Sequence, residues 1–119
     1  MHEMSIATEL LREVLAAAAP HAPARVTEVE VAAGEMQQIV PEALEAAWQS
    51  LAAGTPAEGA VLHLTETPIE ACCRACGRRF QPRLTDFACP CCGQADVDIV
   101  AGRDIILTSL TCQTEDEPA

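Results

Sequence analysis

Aromatic side chains are nearly missing from this chain: tyrosine is absent, and only Trp48, Phe80 and Phe87 supply rings. The core must therefore come from Ala, Val and Leu, which over 119 residues makes a thin one. That length fits one ordinary domain or two small ones, and an added staple is expected. Positive charge is scarce too, with 7 basic residues against 18 acids and a net charge of −11. A surface of that sign repels phosphates, which argues against general binding to nucleic acid or to an anionic membrane. No apolar run reaches the length of a bilayer span, and the first residues lack the basic and apolar regions of a signal peptide. The expectation is a cytoplasmic protein with no membrane partner, whose 7 cysteines are thiols or metal ligands rather than disulfides. The chain also lacks a paired acid and base in a recognisable setting, a phosphate-cradling glycine loop and a nucleophile with a partner. It reads as a non-enzyme.

Periodicity divides what is present. Residues 4–19 predict a helix, with Ile6, Leu10 and Val14 recurring at four-residue intervals and Leu11 and Leu15 widening the stripe. Pro20 and Pro23 stop it. VTEVEVAAG then alternates, with Thr27, Val29, Val31 and Ala33 on one face and Glu28 and Glu30 on the other, as in a half-buried strand ending at Gly34. A second helix opens near Pro41, a good first helical residue, with Glu42 at the positive end of the dipole. Its apolar face is Ala43, Leu44, Ala47, Trp48 and Leu51, and Gly54 and Pro56 close it. AVLHLTE (60–66) and RDIILTSLTC (103–112) predict two further strands, and TEDEPA (114–119) reads as a disordered acidic tail.

Between the last two strands lies CCRACGRRFQPRLTDFACPCCG. Cys73-x2-Cys76 and Cys89-x2-Cys92 stand twelve residues apart, room enough for a hairpin that brings the two pairs together. Each pair makes a tight knuckle presenting two thiolates to one ion, and Gly77 and Gly93 let the backbone turn behind each. Four thiolates in a tetrahedron select Zn²⁺, with iron as the rubredoxin-like competitor, and they leave no open position for water or substrate, which marks the site as structural. Such a zinc contributes on the order of 10 kcal/mol or more of apparent free energy, enough to fold a ribbon too small for its own core. Cys72 and Cys91 adjoin ligands and offer alternative pairings, though the x2 spacing favours the set above; Cys112 reads as a small buried hydrophobe. Arg74, Arg78, Arg79 and Arg83 also lie in this block, beside one acid, Asp86. They suit either a nucleic-acid-binding ribbon or simple compensation of the negative ZnS4 core. With few stacking aromatics and an acidic protein around them, compensation is the better reading. The fold class is then α+β: a small three-stranded sheet with two helices, carried by 1–68 and 103–113, plus an inserted zinc ribbon at 69–102.

The opening, MHEMS, has a chemistry of its own. Methionine is usually kept when a large residue follows, so Met1 stays ahead of His2. The Met1 amine, the His2 amide nitrogen and the His2 Nδ1 can close adjacent five- and six-membered chelate rings. Glu3 adds a carboxylate or a second amide nitrogen. Deprotonating a backbone amide needs an ion that favours square-planar nitrogen, Ni²⁺ or Cu²⁺ rather than Zn²⁺. A histidine at position two is by itself a weak signal. His21, in the proline-rich connection, reads as solvated, and His63, in the second strand, as structural.

The MHEMS start, GEM with VPEALEAAW, GTPAEGA, the two CxxC knuckles and a closing GRDIILTSL strand together resemble the HypA/HybF family of hydrogenase-maturation nickel chaperones, over roughly residues 1–112. The resemblance implies nickel at Met1 and His2 with Glu3 assisting, and structural zinc at Cys73, Cys76, Cys89 and Cys92. It also implies delivery, with a maturation GTPase, to a [NiFe]-hydrogenase large-subunit precursor. Cys72, Cys91 and Cys112 depart from the pattern and touch only the finer detail of the zinc ligation. The expectation from another class is a zinc-ribbon nucleic-acid or transcription adaptor. An iron S4 electron carrier is a further one, which colour alone would reveal.

Overall fold

The computed structural model describes residues 2–21 and 24–114. Met1, Ala22, Pro23 and the last five residues of the expected tail lie outside them. Helix α1 spans His2–Ala18 and continues as a 3-10 turn, Ala19–His21, that leaves His21 exposed. Strand β1 is Ala24–Gly34, a 3-10 turn follows at Glu35–Gln37, and α2 is Pro41–Ala52. The remaining strands are β2 (Val61–Thr67), β3 (Glu70–Cys73), β4 (Arg79–Phe80), β5 (Val97–Ala101) and β6 (Ile105–Thr114). β6 thus runs through Thr114, one residue into the stretch expected as tail.

Two compact units form, the first from 1–31, 39–65 and 106–119 and the second from 32–38 and 66–105. The first contains the expected helices and most of a three-stranded sheet ordered β2-β1-β6. Thr27 Oγ1 donates to Thr111 O at 3.1 Å and Thr108 Oγ1 to Glu30 O at 3.0 Å, so early β1 faces late β6 and the pair is antiparallel. Val29 and Val31 are buried while Glu28 and Glu30 are exposed, as the alternation requires. Val26 is buried as well, at the start of the strand, where its amide donates to Pro56 O at 2.9 Å.

The buried stripe of α1 is Ala7, Leu10, Val14 and Ala18, one position along from the expected Ile6, which is only half-buried. Alanine explains the shift. A small side chain lets two helices approach closely, and Ala7 packs with Leu44 and Ala47 of α2, flanked by Ile6, Ile39, Leu51, Leu62 and Leu64. Trp48 fills the largest single volume of the core, and its Nε1–H donates to Ala60 O at 3.2 Å, which satisfies its one polar atom.

The second unit holds a sheet, ordered β4-β3-β5, that periodicity did not separate from the cysteine block. β3 pairs antiparallel with both neighbours, Ala71 opposite Phe80 on one side and Ile99 on the other. Its apolar interior is small: Ala33, Ile69, Ala71, Cys73, Pro82 and Cys89. Gly34 and Gly102 meet so closely that a β-carbon on Gly34 would overlap the Gly102 carbonyl. Met36 N–H donates to Gly102 O at 3.0 Å, and the Glu35 carboxylate accepts the Ile69 amide at 2.9 Å, so 34–36 is sewn into this unit.

Candidate metal sites

β3 ends on Cys73, which fixes the first knuckle at the end of a hydrogen-bonded strand. Gly77 N–H donates back to Cys73 O at 2.8 Å, and Gly93 N–H to Cys89 O at 2.8 Å. The two turns are therefore alike. Both glycines sit near φ +79 and +78, a left-handed backbone that a β-carbon resists. The consequence is that Cys73, Cys76, Cys89 and Cys92 bring their Sγ atoms within 4.8 Å of one another. Cys73 to Cys92 is 3.5 Å and Cys76 to Cys89 is 3.6 Å, both contacts running from one knuckle to the other. A tetrahedral zinc with bonds of about 2.3 Å has sulfur–sulfur edges of about 3.8 Å, and this cluster fits it.

The electrostatics fit a cation. The backbone N–H groups of Cys92 and then Cys91 pull the Cys89 thiol down to about 6, against burial. Part of that donor set is visible as Cys91 N–H aimed at Cys89 Sγ over 3.4 Å. The Arg78 amide pulls Cys76 down as well, but the neighbouring Cys89 thiol, burial, Cys73 and Cys92 together push it up to about 12. A divalent cation bound by all four would stabilise every thiolate at once.

The other cysteines stand apart from this group. Cys72 Sγ points at Gly77 O over 3.6 Å, Cys91 is exposed, and Cys112 is half-buried on β6, less enclosed than expected. Two of the arginines are held by acids that the motif itself did not include. Arg74 reaches Asp98 at 2.6 Å and Asp96 at 3.1 Å, and Arg79 reaches Glu70 at 2.9 Å. The spacing of Asp96 and Asp98 at i and i+2 around the start of β5 was the available sequence signal for a shared partner. Among the described residues, Arg78 and Arg83 have no ion pair.

At the other candidate site, Met1 is outside the described residues, and His2 is the exposed first residue of α1. Glu3 is half-buried in the first turn, where its Oε2 accepts the Val40 N–H at 3.1 Å. That amide first, and Glu3's own N–H second, hold the Glu3 carboxyl below the usual carboxylate range. Sequence reasoning did not anticipate the Val40 contact, because no pattern links positions 37 residues apart. His63 Nε2 lies 3.0 Å from Glu28 Oε1 on the open face of the sheet, a surface pairing consistent with a structural residue. No helix among the described residues is long and apolar enough to cross a membrane.

A helix-on-sheet unit chained to a four-cysteine ribbon defines a small metal-binding protein of the S4 type. The HypA family, described as hydrogenase/urease nickel incorporation, metallochaperone, matches residues 1–112. The hydrogenase maturation factor HypA of Chlorobium limicola is 36% identical over 116 residues, covering 98% of this chain and 100% of that one. Its counterpart from Solidesulfovibrio magneticus is 38% identical over 114 residues, covering 92% and 97%. In three dimensions the chain is similar to the solution structure of the Ni metallochaperone HypA from Helicobacter pylori, with a TM-score of 0.71. That likeness covers 97% of this chain and 100% of that chain at 24% identity, and it supports the fold. The chain belongs to the HypA family of nickel metallochaperones for hydrogenase maturation.

Proposed function

We propose that this protein binds Ni(II) at its N-terminus and delivers it for the maturation of [NiFe]-hydrogenase, with a structural zinc at the cysteine centre. The nickel donors are the Met1 amine and the His2 amide nitrogen and Nδ1, with Glu3 assisting. The zinc ligands are Cys73, Cys76, Cys89 and Cys92. The observation that carries the reading is the family match, which begins at residue 1 and so includes the MHE start as well as both knuckles. Residues 1–68 and 103–113 handle nickel, and 69–102 form the zinc ribbon.

The chemistry assigns the two ions different tasks. Four thiolates enclose zinc and fold a ribbon with little apolar interior, while a terminal chelate holds nickel with few packed contacts to break when the ion moves on. Transfer is ligand exchange and needs no catalytic group in this chain. A partner GTPase supplies any nucleotide chemistry, a large-subunit precursor receives the ion, and the exchange takes place in the cytoplasm. The adaptor reading loses support because Arg74 and Arg79 are already bound to acids within the chain.

The test is metal analysis of purified protein with its native N-terminus, before and after nickel is added and excess removed. One zinc per chain before, with one nickel gained and the zinc retained after, is expected. Displacement of zinc by nickel, with no additional ion held, would contradict the two-site reading.

A further inference from the structure

We infer that the Glu3 carboxylate is a positioning group that holds the nickel-binding terminus against α2, rather than a donor to the ion. This rests on the terminal nickel site proposed above and goes further by separating the work of the Glu3 side chain from that of its neighbours.

The buried stripe of α1 is Ala7, Leu10, Val14 and Ala18. Glu3 stands four residues before Ala7, so it lies on the same face and extends that stripe by one turn toward the terminus. Ala7 packs on Leu44 and Ala47 of α2. Directly beyond that contact, Glu3 Oε2 accepts the Val40 N–H at 3.1 Å. The bond is the last rung of the α1–α2 seam, and the nickel donors of Met1 and His2 follow immediately upstream.

The Val40 end of the bond has few alternatives. Val40 is the N-cap of α2, and its apolar side chain offers the helix no cap hydrogen bond. Its successor, Pro41, has no N–H, so Val40 carries the last backbone donor before the helix proper. The approach to it is fixed by Gln38, held left-handed at φ 50. Oε2 is committed to this amide. Bringing it to an ion chelated by residues 1 and 2 would release Val40 and leave the helix start without its acceptor. The lower-cost arrangement keeps Glu3 on Val40 and lets it restrict the backbone that carries the donors.

The experiment is calorimetric titration with Ni(II) alone on the full chain at 25 °C, comparing wild type, Glu3→Ala, Glu3→Gln and His2→Ala. Amide exchange at Val40 is followed by NMR, and zinc content serves as the check on folding. Glu3→Ala removes the tie and weakens nickel binding about tenfold, the scale of re-ordering roughly one backbone residue. Glu3→Gln keeps an acceptor oxygen and rescues most of that loss, and the Val40 amide is protected in wild type and Glu3→Gln but not in Glu3→Ala. A change confined to thermal stability, with equal nickel affinity in all three Glu3 forms, would overturn the positioning role. So would Glu3→Gln losing as much as Glu3→Ala, since that is the signature of a carboxylate donor. In both cases His2→Ala still loses nickel and the terminal-site reading survives. If His2→Ala binds nickel as wild type does, the terminal site fails and takes this inference with it.

Discussion

Replacing Cys89 by serine removes one sulfur from the centre while changing the volume of a buried side chain very little. The second unit has few apolar groups to fall back on: beside Cys73 and Cys89 it buries Ala33, Ile69, Ala71 and Pro82. Burial of Ile69 is worth about 2 kcal/mol and each alanine methyl under about 1 kcal/mol. A structural zinc contributes about 10–16 kcal/mol of apparent free energy. The metal term is the larger by several-fold, so Cys89→Ser should release zinc and melt the β4-β3-β5 sheet together with the knuckles. The first unit has its own core of Trp48, Leu44, Val14, Val26 and Val29, and its helices should persist. Zinc per chain is read by mass spectrometry and the two units by ¹⁵N NMR. Zinc should fall to near zero, with amide dispersion lost across 70–101 and kept across α1 and α2. A Cys89→Ser protein that still held one zinc, or that kept a dispersed ribbon without zinc, would refute the argument. Cys112→Ala, outside the cluster, should leave zinc content unchanged.

Other perturbations bear on the fold that carries these sites. Trp48→Ala empties the largest buried side chain and removes the Nε1–H bond to Ala60 O, so a loss of about 3–5 kcal/mol is expected in urea unfolding; under about 1 kcal/mol would mean the core packs otherwise. Gly34→Ala drives a β-carbon into the Gly102 carbonyl, and backbone displacement there should cost about 1–3 kcal/mol, read as a lowered unfolding midpoint. Arg74, through its hydrogen bond and then its charge, holds Asp98 below the ordinary aspartate range. The stability from this pair is therefore present above the unfolded-state value and is lost as pH falls through the lowered folded one. NMR titration of the Asp98 carboxyl should show that depression and its return to normal in Arg74→Ala; an unmoved midpoint would break the link.

Much of this structure was legible in the residues because short-range rules governed it. Helix α2 opens at Pro41, where a missing N–H costs nothing, and β1 follows its Val/Glu alternation. The four clustered cysteines are those of the x2 spacing, since two residues between thiols and a left-handed glycine behind them make a closed knuckle by local geometry alone. Long-range contacts were not legible. The half-buried Ile6 beside a fully buried Ala7 reflects the close approach of α2, which helix periodicity does not encode. The ribbon sheet escaped notice because β4 is two residues long and β3 four, too short to show a period. Glu3 on Val40 and Glu35 on Ile69 join distant positions through single hydrogen bonds, and a sequence gives no register for these.

The claim that matters most is that nickel sits on the chain terminus itself, and one titration addresses it. Ni(II) is added by calorimetry to three proteins: the native chain, the chain with a tag fused ahead of Met1, and His2→Ala. The tag converts the amine to an amide and moves His2 inward, while leaving the imidazole and the zinc ribbon intact. The account predicts tight, one-to-one binding to the native chain only, a marked loss in the tagged form, and no high-affinity binding to His2→Ala, with one zinc per chain throughout. Equal affinity in all three would contradict it and move the nickel site elsewhere in the protein.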